Sequence, residues 1–349
     1  MGNFAFNSNQ LRSGISIIIA CYNGSQRLPK TLSHIFASKI DPRLNIPVEL
    51  IIVDNASTDG TINIAKEECI SNIPTNWNFL ILSEQKKGKD NAINLAFSKC
   101  NYKYAFIIDD DNWIDSDYLQ KGYNIMVDNN QIGTLGGLGT AVFEVNPPEW
   151  GKNGICCGPQ GSHSGDITNH QGWVLGAGCV YNMDIINRLY SSGFKTCLGT
   201  FRGQSVDVSG EDVELCYAIR MLGYKIWYSE NLRFAHFMPA SRMVDSRFIS
   251  INRGFGVQSF VLGLYESLLT NPRKKPTYMW FVKYYIRGFA SSVFCTLKSL
   301  IKSKNNIYSK VAFEKHLYRL KTFANFKYCI SNFSKFTKNI TSISNCMDD

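Results

Sequence analysis

Three consecutive aspartates, Asp109, Asp110 and Asp111, are the residues of this chain whose types and spacing most suggest chemistry. They directly follow the apolar run 104–108, which is typical of a strand buried on both faces, as in a parallel sheet. Three adjacent carboxylates repel one another unless a positive charge lies between them, and a divalent cation held by oxygen ligands would supply that charge. The triplet therefore predicts a metal site at a strand end, while the alternative is an acidic loop or a helix N-cap.

Two earlier apolar runs also end in polar residues. The run 16–21 ends in Tyr22 and Asn23, and the run 48–53 ends in Asp54 and Asn55. Ligands of open α/β sheets bind beyond the carboxyl ends of the strands. We therefore expect these residues and the aspartate triplet to meet on one ligand at one edge of a sheet.

Strand and helix patterns alternate over the first part of the chain. Strands are predicted at 16–21, 48–53, 78–82 and 104–108, with a helical pattern after each of the first three. Short connections between such elements favour an α/β fold with a mostly parallel, doubly wound sheet and right-handed crossovers.

The chain changes character between 131 and 200, where frequent glycine and proline predict bends, short strands and loops. A helix is predicted to begin at Gly210-Glu211-Asp212 and to run through Arg220. A strand at 224–228 and then His236 follow, and from about 246 the pattern is helical.

Composition predicts a packed protein in a reducing compartment. The 349 residues are 44% hydrophobic, which favours one large or two modest domains with a core and argues against disorder. Eleven scattered cysteines without a C-x-x-C pair do not indicate a disulfide framework or a zinc site. No signal peptide is evident at the N-terminus, so we expect a cytoplasmic protein.

The positive charge is concentrated near the C-terminus. Residues 271–340 contain 15 Lys or Arg and one acid, whereas the first 270 residues carry a net charge of −3. This asymmetry predicts an anionic partner for 271–340. Because 280–301 mixes aromatics with three cations, we expect an interfacial amphipathic helix on an anionic membrane surface rather than a membrane-spanning one. The alternative is a basic helical cap over the rest of the protein, and nucleic acid is not expected.

These residues resemble family 2 of the inverting, nucleotide-sugar-dependent glycosyltransferases, which have the GT-A fold. The matching pieces occur in the family's order within 14–240: 16–23, 53–61, 88–94, the triplet 109–111, 210–212 and His236. The resemblance implies a GT-A domain over 14–245, with a nucleotide-sugar-binding half at 14–130 and an acceptor half at 131–245. The basic helical extension 246–349 lies outside it.

The resemblance also implies roles for individual residues in binding the donor. The donor-binding residues would be Tyr22, Asn23, Asp54, Asn55, Asp109 and Asp110. Asp111, with Asp109 and His236, would hold Mn²⁺ or Mg²⁺, which neutralises charge as the nucleoside diphosphate leaves. Asp54 and Asn55 could instead form an Asx-turn, and His236 could be a structural histidine.

On the acceptor side, Asp212 would be the general base that removes a proton from the acceptor hydroxyl, and Glu211 would orient the acceptor or the base. The alternative is ordinary acid placement at a helix N-terminus. Trp173 lies where family members bind the acceptor, although core packing would explain it equally well. Lys86, Lys87 and Lys89 could touch phosphates, but solvated surface is the simpler interpretation.

Two features depart from the family pattern: Ser116 replaces a common proline, and the Q-x-x-R-W motif of processive, membrane-embedded members is absent. We therefore expect transfer of single sugars. The resemblance itself implies a UDP-sugar as donor and a glycan or lipid-linked acceptor in polysaccharide or glycolipid assembly. The alternatives are a sugar nucleotidyltransferase and a non-catalytic protein that binds sugar nucleotides or carbohydrates. The first should have a Gly-rich basic loop after the first strand, which Tyr22-Asn23-Gly24-Ser25 matches poorly.

Overall fold

Four strands of the N-terminal part lie side by side and run in the same direction. They are β1 (Arg12–Cys21), β2 (Val48–Asp54), β3 (Trp77–Ser83) and β4 (Tyr102–Ile107). The computed structural model describes residues 11–152, 154–155, 157–199, 208–271, 275–302 and 325–343. The helices between these strands are α1 (Leu28–Phe36), α2 (Thr61–Asn72) and α3 (Lys89–Phe97). All neighbouring pairs are parallel, in the order β3-β2-β1-β4. The predicted α/β architecture is confirmed, and the parallel strands place their carboxyl ends on one edge.

The second half continues the same sheet with strands of both directions. Its elements are β5 (Asn112–Ile114), α4 (Tyr118–Asp128), β6 (Ile132–Phe143), β7 (Gly165–Asp166), β8 (Cys179–Asn182), α5 (Met183–Ser191), α6 (Glu211–Met221) and β9 (Lys225–Met238). The sheet order continues β4-β8-β6-β9-β5, and β7 also pairs with β9. β8 is antiparallel to β4 and β5 is antiparallel to β9, so the complete sheet is mixed.

The glycine-rich stretch after 131 is a continuous strand, so the predicted bends there are wrong. Gly133, Gly136 and Gly137 lie inside the 12-residue β6. A Cβ atom at Gly133 would overlap the Ile219 side chain, and one at Gly137 would lie 2.5 Å from a backbone carbonyl oxygen. These glycines allow close packing of neighbouring elements against the strand, which is a second reason for glycine within a strand.

The sheet separates two apolar layers. In β1, Ile17 and Ile19 face the layer that contains α1, α2 and α4, whereas Ile18 faces the layer that contains α3, α5 and α6. Successive strand residues point to opposite faces, so a strand buried on both sides needs the unbroken apolar runs seen in the sequence.

Three C-terminal helices extend the second of these layers. They are α7 (Asp245–Thr270), α8 (Tyr278–Lys302) and α9 (Phe326–Ser342), in the region that the sequence predicts to be helical. Phe260 of α7, Phe281 of α8 and Phe333 of α9 are buried in the same cluster as the side chains of α6. None of the helices in the described ranges combines the length and hydropathy needed to cross a bilayer. Each cysteine that the structure describes is a free thiol.

Candidate active site

The three aspartates lie in the turn between β4 and β5, and each is paired with a different cation. The N–O distances are 2.5 Å for Lys89–Asp109, 2.7 Å for Arg27–Asp110 and 2.8 Å for Arg242–Asp111. The repulsion expected from three adjacent carboxylates is therefore already offset by side chains of the protein itself.

Asp110 points into the protein and joins two loops. Its carboxylate accepts hydrogen bonds from Arg27, and its Oδ2 lies where a Cβ atom of Gly24 would be, so the loop after β1 packs directly on it. Burial and then the adjacent Asp111 raise the pKa of Asp110 to about 6, against the effect of Arg27. These contacts describe a buried ion pair beneath the site, and donor binding by Asp110 stays a prediction.

Asp111, Asp109 and His236 bring three possible metal-ligand atoms together, all within 4.8 Å of one another. Backbone pairing positions them, because Asn112 of β5 lies opposite His236 of β9 and the Phe237 N–H donates to the Asp111 carbonyl at 2.9 Å. His236 Nε2 is 3.3 Å from Asp111 Oδ1.

The Arg242 guanidinium lies between two of these groups. One of its nitrogens is 2.8 Å from Asp111 Oδ2 and the other is 3.3 Å from His236 Nε2. Burial favours the neutral acid, but His236, Arg242 and Arg27 outweigh it and lower the pKa of Asp111. Despite the short distance to Arg242, the buried Asp111 Oδ2 accepts no well-aligned hydrogen bond from the described residues. The donor set of two carboxylates and an imidazole fits a divalent cation.

The remaining nitrogen of His236 faces a thiol. Cys157 Sγ lies 3.7 Å from His236 Nδ1, at the edge of hydrogen-bond distance for sulfur. A proton on Nδ1 would leave Nε2 as a free ligand, whereas the other tautomer would donate from Nε2 to Asp111. Cys157 therefore lies where it affects which nitrogen can bind a metal.

Lys89 links the aspartate triplet to the acidic pair at the start of α6. Its ammonium donates to Asp109 Oδ1. Burial alone would lower its pKa, but Asp109, Glu211 and Asp212 outweigh burial and raise it. Solvated surface, the simpler interpretation of this lysine from the sequence, is wrong, because the side chain lies among three carboxylates.

Asp212 and Glu211 begin α6 as predicted, and backbone amides orient Asp212. The Gly176 N–H donates to Asp212 Oδ2 at 2.7 Å, and Asp212 Oδ1 accepts from the Val213 N–H at 2.9 Å. Burial and the neighbouring Asp212 raise the pKa of Glu211 to about 7, while Lys89 opposes them. Each Asp212 oxygen still has a lone pair for an acceptor hydroxyl.

A small cleft with a cavity volume of about 30 Å³ lies beside Asp212. Its polar lining includes Lys89, Asp90, Asn94, Glu211 and Asp212, and apolar side chains such as Ile93, Ile107, Cys179, Tyr181 and Leu215 complete it. Lys89 and Asp212 therefore face one space.

The residues at the ends of β1 and β2 organise the adjoining loops. Asn23 accepts a hydrogen bond from the Thr58 N–H, and the Asn55 amide bonds the backbone of Glu84, Lys86 and Gly88. Asp54 Oδ1 is different, because it is buried and has no hydrogen-bond partner among the described residues. Asp54 therefore has an unsatisfied acceptor, while the Asn55 amide is occupied within the protein.

Two further residues that the sequence analysis predicted to bind ligands are Tyr22 and Trp173. The Lys87 ammonium lies 5.5 Å from the ring centre of Tyr22, beside the end of β1. Trp173 is half-buried against the core and does not line the cleft beside Asp212. Donor binding by Tyr22 and acceptor binding by Trp173 stay predictions.

Sequence reasoning missed two cations of the site, Arg27 and Arg242, and treated the third, Lys89, only as a possible phosphate contact. Lys89 follows Gly88 at the start of α3, and its place in a matching motif was a usable signal. Arg27 lies 83 residues from its partner Asp110, and only the fold brings the two together.

Comparison with known proteins gives a family for this arrangement. Residues 16–187, just under half of the chain, match the family model described as Glycosyl transferase family 2. The poly-beta-1,6-N-acetyl-D-glucosamine synthases of Staphylococcus aureus and Staphylococcus epidermidis are 32% identical to this chain over 105 and 110 residues. These matches cover 30% and 31% of this chain but 23% and 24% of the synthases, so the chain spans about a quarter of the length of these relatives.

Solved structures share the fold at low sequence identity. A mannosyltransferase from Pyrobaculum calidifontis, in complex with GDP-Man and Mn²⁺, aligns over 99% of this chain and 89% of its own, with a TM-score of 0.54 and 14% identity. TarS of S. aureus in complex with UDP-GlcNAc aligns over 95% and 90%, with a TM-score of 0.51 and 14% identity. Both similarities concern the fold.

Proposed function

Residues 16–187 form a glycosyltransferase domain of family 2 with the GT-A fold, and from this we propose that the protein transfers a sugar from a nucleotide diphosphate sugar to an acceptor hydroxyl. The observation that supports this most strongly is the cleft that Lys89 shares with the acids of α6. Lys89, paired with Asp109 of the possible metal site, lines the same cleft as Asp212. A donor with its diphosphate at the aspartates and its sugar in the cleft would have its anomeric carbon near Asp212.

We assign the leaving-group side to Asp109, Asp111 and His236. Their ligand atoms lie within 4.8 Å of one another, which is close enough for a shared cation. Bound there, Mn²⁺ or Mg²⁺ would stabilise the negative charge that develops on the departing diphosphate. The protein's own part is to fix these three groups through the pairing of β5 with β9 and to hold Lys89 beside the phosphates.

We assign the acceptor side to Asp212. The Gly176 and Val213 amides hold its carboxylate at the start of α6, where it can accept the proton of an incoming hydroxyl. Attack from the face opposite the leaving diphosphate inverts the anomeric centre in one displacement. Glu211, whose pKa of about 7 lies near neutral pH, would orient the acceptor or adjust the charge beside the base.

We propose a UDP-sugar as donor, bound through the ends of β1 and β2, with Asp54 Oδ1 as the acceptor for a uracil N–H or a ribose hydroxyl. UDP-GlcNAc is the first donor to test, since TarS was crystallised with it and the synthases in the comparison are named for N-acetyl-D-glucosamine polymers. For the acceptor we propose a glycan or a lipid-linked glycan at the cytoplasmic side of a membrane.

The test is nucleotide release from a panel of UDP- and GDP-sugars with Mn²⁺ and a mixture of glycan acceptors. Asp212→Asn should lower turnover by about 10²–10⁴-fold while donor affinity stays close to that of the wild type. Asp111→Ala should weaken Mn²⁺-dependent UDP binding as well as transfer. Asp41→Asn, which changes a partly exposed aspartate paired with Arg43, is the matched control and should change neither.

The rival functions give different results in the same assay. Pyrophosphate release from a nucleoside triphosphate and a sugar phosphate would identify a nucleotidyltransferase. Metal-dependent nucleotide binding without turnover on any acceptor would identify a binding protein. Near-normal turnover by Asp212→Asn would mean that another residue is the base.

A further inference from the structure

Helix α8 presents one apolar face to the rest of the protein. Phe281 is fully buried, and its ring centre lies 5.3 Å from that of Phe260 in α7 and 5.6 Å from that of Phe333 in α9. Tyr284 and Tyr285 extend the same contact with Phe260. This face attaches α8 to the core and explains why the helix is ordered there.

A second apolar face of α8 points to solvent. Its exposed members, here called the outer stripe, are Met279, Val282, Ile286, Phe289 and Leu297. Their side chains are between 46% and 63% exposed. Met279, Val282, Ile286 and Phe289 follow one another at steps of three and four residues, which place side chains on one side of a helix. Leu297 lies on the same side about two turns further along. An exposed apolar stripe of this kind marks a surface that meets a partner or a membrane.

Positive charge borders the outer stripe. Lys283 and Arg287 directly follow two of its members, and Lys298 follows a third. Neither α8 nor α9 contains an aspartate or a glutamate, while α9 adds three lysines. A second copy of this helix would bring cations against cations, whereas an anionic lipid surface complements both the charge and the apolar side chains.

We propose that the outer stripe of α8 binds an anionic lipid bilayer, with the apolar side chains in the interfacial region and the neighbouring cations at the headgroups. Binding of this kind is peripheral and reversible, with a salt-sensitive part from the cations and a salt-resistant part from the apolar side chains. The outer stripe contains none of the residues assigned to the transferase reaction, so membrane binding holds or fails independently of that reaction.

The test is co-sedimentation of the full chain with phosphatidylcholine vesicles that contain or lack phosphatidylglycerol, at low and high salt. Wild-type protein should bind the anionic vesicles, and Ile286→Glu should weaken that binding by about tenfold or more, since it adds a charge to the apolar stripe. Ile70→Glu is the matched control, because Ile70 is a 75% exposed isoleucine on α2, and it should bind like the wild type. Lys283→Gln with Arg287→Gln should reduce binding mainly at low salt.

Melting temperatures and light scattering, measured on the same proteins, separate membrane binding from dimerisation and from burial of the stripe within the chain. If Ile286→Glu binds anionic vesicles as well as the wild type, the proposal is wrong. It is also wrong if the wild type binds no vesicles and Ile286→Glu instead dissolves a dimer, which would identify a second copy as the partner. A large fall in melting temperature for Ile286→Glu, without vesicle binding by the wild type, would overturn it as well, because the stripe would then be covered within the chain.

Discussion

At the scale of single residues, Arg242 occupies a position with two competing uses. It lies against Asp111 and His236, two of the three groups assigned to the metal. A cation that binds there must displace the guanidinium, so Arg242 lowers metal affinity in the free protein and becomes available to a phosphate after displacement.

Arg242→Gln should therefore bind Mn²⁺ without nucleotide about tenfold more tightly than the wild type, a difference of roughly 1.4 kcal/mol. Transfer should nevertheless fall, because a positive charge near the diphosphate is lost. Calorimetric Mn²⁺ titration measures the affinity, with Arg43→Gln, an exposed arginine, as control. Unchanged or weaker Mn²⁺ binding by Arg242→Gln would contradict competition at this site.

Glu211 makes a pH-dependent contribution to stability. Its pKa is raised to about 7 in the folded protein, so folding keeps a proton there that the unfolded chain releases near its ordinary pKa of about 4.5. The stabilisation that Glu211 contributes to the folded protein is fully present below pH 4.5, and it is lost as the pH rises through about 7.

The free energy of unfolding of the wild type, relative to Glu211→Gln, should therefore fall by about 2 kcal/mol between pH 5 and pH 8. Urea titrations of both proteins across this range measure the difference. Parallel pH curves for the two proteins would mean that Glu211 has an ordinary pKa.

The residue types at one strand end indicated Asp109 and Asp111, and the family resemblance added His236 and Asp212. The structure brings Asp109, Asp111 and His236 together, while the roles of all four stay predictions. Their cations could not be predicted in the same way. Arginine has no fixed spacing from a partner on another element, so the pairs Arg27–Asp110 and Arg242–Asp111 follow from the fold alone.

At the scale of elements, α6 is fixed from its buried side by Glu214. This fully buried carboxylate accepts from the backbone N–H groups of Cys197 and Leu198 and from the Tyr265 hydroxyl of α7. The network ties the helix that begins with Asp212 to a loop and to a C-terminal helix. It should therefore determine how precisely the base is oriented.

Tyr265→Phe should lower the free energy of unfolding by about 1.5–3 kcal/mol, since it removes a buried hydrogen bond to a carboxylate but keeps the ring. Tyr217→Phe is the control, because its hydroxyl bonds the more exposed Glu266 and its loss should cost less. Glu214→Gln should destabilise as well, and the double variant with Tyr265→Phe should be less than additive. Strict additivity would mean that the two side chains do not act together.

Element types were predictable where the apolar periodicity was unambiguous, as in β1, β2 and β4. The strand β6 could not be predicted in this way, because glycine in a sequence indicates a turn unless it is known that a neighbouring element packs closely against it. The contacts of Gly133 with Ile219 and of Gly137 with Leu232 depend on residues that follow β6 by many positions in the chain.

At the scale of the whole molecule, the basic C-terminal helices share a core with the transferase domain. Phe260, Phe281 and Phe333 are buried together, in the cluster that includes Cys216 and Ile219 of α6. The helices therefore cap one layer of the domain, while α8 keeps a second face exposed. The sequence suggested cap and membrane surface as alternatives, and a helix with two apolar faces is compatible with both.

Phe333→Ala should destabilise the whole protein by about 3–4 kcal/mol and leave a single unfolding transition. Phe294→Ala, which changes a 66% exposed phenylalanine of α8, should have an effect within about 0.5 kcal/mol. Thermal melts followed by tryptophan fluorescence and by nucleotide binding measure both. Separate transitions for the two signals would show that the helices unfold independently of the nucleotide site.

The one-to-one pairing of three aspartates with three cations has a consequence for how a metal ion and a diphosphate bind together. Because the triplet is already close to electrically neutral, a divalent ion alone would bring two uncompensated charges, and a diphosphate alone would meet carboxylates. The negative diphosphate therefore compensates the charge of the metal ion, and the metal ion shields the diphosphate from the carboxylates. Reciprocity of binding free energies then requires that each increases the affinity for the other by the same factor. The metal ion and the diphosphate should therefore bind cooperatively, each more tightly when the other is present.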